Sequence, residues 1–229
     1  MKSIFLLLLI WMISFGAAKA QFTANAYGTA LYNASNYFGA FKDKYNMVNE
    51  STMANKLGSP NLNLGYTVEL GYRIMGLSSS LSRTMVSSRT HATFQNDAKR
   101  IIRYQYKITN INIGAFKDFG KSEMTIEIGM THLFSNLYSY VELPNGEVDN
   151  FTGGASHTSG WVNIGGNAKI NYLRNLSNKL LMNLQLQGIY VNNKKDVAPR
   201  LVYQGTEATH TLIGAGISAG LTYKIGEKL

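Results

Sequence analysis

The sequence predicts an all-β chain that closes into an eight-stranded antiparallel up-and-down transmembrane β-barrel. Three observations carry that prediction. Apolar and polar residues alternate with period two in segment after segment. Short and long connections between those segments alternate strictly along the chain. The one long apolar run lies at the N-terminus, and nothing after it is long enough to cross a membrane as a helix.

Composition bounds the class. Of 229 residues, 45% are hydrophobic and only 15% charged, well below the ~25% charged of an ordinary soluble domain. The absence of cysteine excludes a disulfide-stapled scaffold, a Cys-ligated zinc or iron–sulfur site and a lipidated cysteine anchor. Glycine at 22 against proline at 3 argues against collagen-like or proline-rich disorder. The length suits one domain.

Residues 1–20 are expected to be a signal peptide. Lys2 precedes the apolar run Ile4 to Phe15, and Ala18-x-Ala20 supplies the small residues of a cleavage site between Ala20 and Gln21. Residues 21–229 then form the barrel domain, and losing Lys2 and Lys19 lowers the formal charge from +9 to +7.

The strands follow in order. Phe22 to Tyr32 alternates weakly, with small residues on both faces. Asn61 to Met75 is the clearest: Leu62, Leu64, Tyr66, Val68, Leu70, Tyr72 and Ile74 share one face, while Glu69 and Arg73 share the other with Asn, Gly and Thr. In a strand these are opposite surfaces. Leu77 to Ser88 is serine-rich, and Arg83 falls in phase with Leu77, Leu81 and Met85, a conflict that a bulge or a position near the rim would relieve. Ile102, Tyr104, Tyr106 and Ile108 alternate with Arg103, Gln105, Lys107 and Thr109. Ile111 and Ile113 then fall out of step, which reads as a bulge at Asn110-Ile111. Met124 to Met130, Val162 to Tyr172, Leu180 to Tyr190 and Ile213 to Ile225 complete the eight.

Gly76, Lys117 to Lys121 and Arg174 to Asn178 read as tight turns. The connections near Asn33–Pro60, Arg89–Lys99, Glu142–Ser159 and Asn192–Ala208 read as long polar loops. This is the layout of an outer-membrane barrel, with short turns and both termini in the periplasm. One internal echo, Gly39-Ala-Phe-Lys-Asp43 and Gly114-Ala-Phe-Lys-Asp118, has unlike flanks and reads as coincidence.

A soluble β-sandwich is the rival. Against it stand wet faces rich in Asn, Gln, Gly, Thr and Ser, and strands longer than the usual five or six residues. Aromatics also gather near strand ends, among them Tyr32, Tyr37, Tyr66, Tyr72, Tyr138, Tyr140, Trp161, Tyr172, Tyr190 and Tyr223, as rings with polar tips do at lipid–water boundaries. Closure is required because an open sheet edge in hydrocarbon leaves backbone groups unpaired.

Ser218-Ala-Gly220-Leu-Thr-Tyr223-Lys-Ile225 resembles the bacterial barrel-assembly signal, although Gly226 to Leu229 follow where an aromatic terminus is usual. That resemblance implies that Ser218, Gly220, Tyr223 and Ile225 are read by the barrel-assembly machinery. With the leader and the strand layout, the chain resembles small OmpX/OmpA-type eight-stranded outer-membrane β-barrel proteins over its whole mature length.

Candidate chemistry is sparse. His132-Leu-Phe-Ser135-Asn136 resembles the His-x-Ser-Asn element of outer-membrane lipid A deacylases, with one residue too many. On a regular strand that gap puts His132 and Ser135 on opposite faces, so a histidine at the aromatic boundary is the stronger reading. His91, His157 and His210 fall in separate connections without ligand spacing, so no metal or cofactor is expected. Glu69, Arg73, Arg103, Lys107, Glu123, Glu127 and Lys169 are expected to share the lumen as a network of paired charges, since an uncompensated buried charge is expensive. The alternative is a narrow solute path through a gap in that network.

The basic chain suggests anionic neighbours, and dispersed bases at a membrane favour outer-membrane lipid and lipopolysaccharide over nucleic acid. Arg89, Lys99 and Arg100 outnumber Asp97 in the second outer loop, whereas Glu142, Glu147 and Asp149 stand without a base in the third. The expected function is non-enzymatic: surface loops that meet a partner protein or envelope complex, or a membrane-stabilising role. A low-conductance pore and a lipid A-modifying hydrolase are the alternatives.

Overall fold

The computed structural model describes residues 20–34, 39–58, 61–149, 163–193 and 210–225. Along them run β1 (Gln21–Asn33), α1 (Gly39–Val48), β2 (Met53–Asn55), β3 (Leu62–Ile74), β4 (Leu77–Phe94), β5 (Lys99–Asp118), β6 (Ser122–Glu142), β7 (Val148–Asp149), β8 (Asn163–Asn175), β9 (Leu180–Asn193) and β10 (His210–Ile225). Residues 1–19 of the expected leader, Tyr37, Trp161, His157, most of the third and fourth loops and the last four residues lie outside the described residues.

Eight strands close a ring in the order β1, β3, β4, β5, β6, β8, β9, β10, with β10 returning to β1. Every neighbouring pair is antiparallel. The stagger can be read from the register. Following partners from Arg174 through Met182, Leu221, Ala26, Val68, Arg83, Thr109 and His132 returns to β8 at Ile164, ten residues away from the start. Strand number and stagger together set the tilt, here roughly 40°.

The turn ends are tight because the sequence suits them. Met75 and Gly76 both have positive φ, 49° and 82°, the two-residue type I′ turn whose twist matches that of its flanking strands. Only glycine adopts this conformation without cost, and Met75 is held there by the hairpin. At the next turn Gly120 has φ 83°, and its N–H donates to Asp118 Oδ1 at 2.6 Å.

The outer wall is apolar. Leu64, Val68, Ile126, Ile164, Leu184 and Ile217 remain between 44% and 60% exposed on it. Each such side chain gains roughly 1.5–3 kcal/mol on leaving water, so the wall is built for hydrocarbon. Phe22, Tyr72, Tyr172 and Tyr223 lie towards the turn end, with Phe22 and Tyr72 rings 4.9 Å apart. Tyr32 and Tyr190 lie near the other end, both about half exposed.

Three strands depart from expectation. β4, β5 and β6 have 18, 20 and 21 residues against 13 to 16 for the rest of the ring, so they rise beyond the outer mouth. Arg89, Lys99 and Arg100 therefore belong to strands, and the second loop shrinks to residues 95–98. The first connection also carries structure: α1 and β2 pack inside the raised wall, where Tyr45, Met53, Leu57, Ala92, Ile102 and Tyr104 form a small core.

The bulge read at Asn110-Ile111 is absent. β5 pairs one-to-one with β4 and β6 along its length, so its faces never exchange; the surroundings do. Ile111 and Ile113 point to lipid where the wall is in the membrane. Ile102, Tyr104, Tyr106 and Ile108 point inward, buried, where the same wall stands in water. Arg103, Gln105, Lys107 and Thr109 consequently face outward.

Candidate functional site

The lumen is filled in layers. Nearest the turns, Glu123 is held between two bases, accepting from Arg73 through Oε2 and from Lys224 through Oε1. All three are nearly inaccessible. They meet because Arg73 and Lys224 are each the second-last residue of their strands and Glu123 the second residue of β6, which brings inward positions of three separated strands to one level.

One level up the stoichiometry inverts. Lys169 ion-pairs with Glu69 across the barrel and with Glu127 Oε2 at 2.8 Å beside it. Ser80 hydroxyl donates to Glu127 at 2.7 Å and accepts from Lys169 at 2.8 Å. Asn25 Nδ2 donates to Glu69 Oε1 at 2.7 Å, and Tyr27 reaches the same oxygen at 3.3 Å. Two acids and one base here offset one acid and two bases below.

Above these lies a belt of hydroxyls and amides. Ser218, Thr29, Thr67 and Thr84 are linked at 3.0, 2.8 and 2.7 Å. Asn167 donates to Thr131 at 3.0 Å, and Thr131 donates to Asn110 at 2.8 Å. The uppermost layer is apolar: Leu31, Val86, Tyr106, Ile108, Leu133, Ile189, Val191 and Leu212 are packed into one cluster at the outer mouth. A polar column thus ends beneath a greasy stopper.

Of the seven residues expected in the lumen network, Glu69, Arg73, Glu123, Glu127 and Lys169 are there. Arg103 and Lys107 are not: both follow β5 to its outward face, where Arg103 is exposed and Lys107 Nζ sits 5.7 Å from the centre of the Phe134 ring. The reason is the change of surroundings along β5. The residue missed is Lys224, whose phase with Thr222 on the wet face of β10 is the signal that marks it.

Arg83 points outward in phase with Leu81 and Met85, without a bulge, and donates to Thr109 hydroxyl on β5. A cation on a lipid face costs about 2–4 kcal/mol at the midplane and about 0–1 near the interface. Six residues of tilted strand place its backbone roughly 15 Å above the turn, just above the middle of an apolar band about 25 Å tall, and its bond to Thr109 on the next strand tips the guanidinium towards the outer surface.

The strand beneath the hydrolase element is regular. β6 pairs one-to-one with β5 through both His132 and Ser135, so no bulge corrects their spacing, and His132 lies on the outward face beside Thr109 and Ile164. His91 is exposed on β4. Among the described residues no group of three metal-ligating side chains gathers. In the assembly-signal segment, Ser218 belongs to the hydroxyl belt, Tyr223 and Ile225 face outward, and Gly220 lies where any Cβ would collide with the Ala26 carbonyl oxygen and Tyr27 Cα.

No family model matches the chain, and no curated protein matches it. Among solved structures, Neisserial surface protein A is similar at 12% identity and a TM-score of 0.49, over 90% of this chain and 99% of that one. Ail, the attachment invasion locus protein of Yersinia pestis, solved with the heparin analogue sucrose octasulfate, is similar at 8% identity and a TM-score of 0.44, over 90% of this chain and 97% of that one. The chain has the architecture of small eight-stranded outer-membrane barrels, and its closed ring, greasy wall and polar interior carry that assignment.

Proposed function

We propose that this is a non-conducting, non-enzymatic barrel of the bacterial outer membrane, exported by a leader cleaved after Ala20. Its work is done by its outer side: the raised β4–β6 wall, the α1 cap and the outer connections meet a surface partner or an envelope complex. The observation that carries this reading is the stratified lumen. Two neutralising charge layers and an apolar layer leave the interior committed to holding the barrel together. During biogenesis the barrel-assembly machinery reads β10 through Ser218, Gly220, Tyr223 and Ile225, and in the membrane the wall contacts lipid and lipopolysaccharide.

The test is electrical. Purified protein in planar bilayers is expected to give no steady conductance, whereas Leu133→Ser with Ile108→Ser, which opens the apolar layer, is expected to give brief openings. A reproducible open state of the unmodified protein would establish the pore instead. Acyl chains of lipopolysaccharide should remain intact after incubation with the protein, and loss of acyl groups abolished by His132→Ala would establish the hydrolase.

A further inference from the structure

We propose that the outward face of β4 and β5 is a binding site for the phosphates of an acylated, phosphorylated glycolipid in the outer leaflet. This deepens the reading above, since it rests on the barrel spanning that leaflet. The register shows where the greasy wall stops. Leu81 and Ile111 are partners at its upper margin. The outward pairs above them are Arg83 with Thr109, Met85 with Lys107, Ser87 with Gln105, and Arg89 with Arg103. On β9 and β10 the apolar face continues higher, to Tyr190 and Ile213. The band is therefore lowered on one side of the barrel, and four cations occupy the step.

Two features of that step point to an anion. Arg89 and Arg103 are directly opposed on adjacent strands, and like charges so placed repel unless something neutralises them. Glu142 reaches only one of them, Arg89, at 3.6 Å with both side chains substantially exposed; no described acid forms an ion pair with Arg103, Lys107 or Arg83. Arg83 is the lowest of the four cations, the first outward residue above Leu81, and a guanidinium bordering hydrocarbon is costly without an anion beside it. Arginine's planar fork matches phosphate oxygens in two-point contacts. The occupant must then combine two properties: acyl chains that run down past Leu81, Ile111 and Ile113, and phosphates held at Arg83 and Lys107. Arg89 and Arg103 meet further anionic groups closer to water.

The experiment uses the mature barrel in nanodiscs or detergent, with bound lipid counted by native mass spectrometry. Bis-phosphorylated lipid A is the probe; phosphatidylglycerol and water-soluble tripolyphosphate are the comparisons. The unmodified protein is expected to retain lipid A at least tenfold better than phosphatidylglycerol. Arg83→Gln with Lys107→Gln should lower that retention tenfold or more, and Lys117→Gln with Lys121→Gln, at the turn end, should leave it unchanged. Heat-modifiable migration on gels verifies that each variant is folded. Equal retention by the Arg83/Lys107 variant overturns the site. Tripolyphosphate displacing lipid A at matched phosphate concentration also overturns it, because the anion alone would then suffice. Conductance recorded on the same samples reports separately on whether the lumen is closed.

Discussion

Lys169 is a lysine almost wholly removed from solvent between Glu69 and Glu127. Removing one member of a buried ion group leaves the others uncompensated, typically at about 3–5 kcal/mol. Lys169→Met is expected to cost that much because two carboxylates are stranded together. Glu123→Gln should act similarly by stranding Arg73 and Lys224. Arg103→Gln, by contrast, should stay within about 0.5 kcal/mol, the range of an exposed substitution. Urea unfolding of the three variants in lipid vesicles separates the real network from the one that alternation alone suggests. Similar losses for all three would return Arg103 to the interior. Alternation was enough to gather five of the lumen charges, because Glu69, Arg73, Glu123, Glu127 and Lys169 all lie at levels where lipid covers the outside. It misassigned Arg103 and Lys107 because a period of two says that faces differ, not which one is wet.

At the level of elements, all eight ring strands and their three short turns were legible, since each turn has Gly or Asn-Ser chemistry where the alternation breaks. The height of β4–β6 was not: Arg89 to Phe94 and the start of β5 sit in a stretch polar enough to pass for a loop, and their pairing comes with the inner core they cover. α1 was also hidden. It carries no acid in its first turn and no base in its last. Its Gly39-Ala-Phe-Lys-Asp43 is the same pentapeptide that runs as strand at the end of β5, so tertiary setting decided the conformation of both copies. If the cap is held by its small core, Tyr104→Ala should release it at a cost of about 3–5 kcal/mol, as for other large aromatic truncations. Limited proteolysis is then expected to cut within residues 39–58 while the ring itself stays resistant to heat in detergent. Uncut protein would mean that the cap is held by other contacts. At the opposite end, Gly76→Val should slow insertion and lower stability, because a β-branched residue at positive φ is strained.

For the whole molecule, the closed ring fixes the habitat. With Leu64, Val68 and Ile217 outside and Glu69, Lys169 and Asn183 inside, turning the barrel out into water would expose every greasy face at once. The mature chain is expected to need detergent or lipid to remain dispersed, and analytical ultracentrifugation in plain buffer should show only aggregate. The interior has a further effect on how the molecule presents itself. Its described charges, three carboxylates and three bases, cancel. The formal excess of the mature sequence therefore lies outside the lumen, on the outward face of β4 and β5, the rims and the connections. Ionic strength reaches those regions, where fields fade over about 8 Å in physiological saline, but does not reach the pairs inside. Salt should accordingly loosen whatever the protein adheres to long before it troubles the fold, so adhesion and architecture answer to different conditions in the same polypeptide.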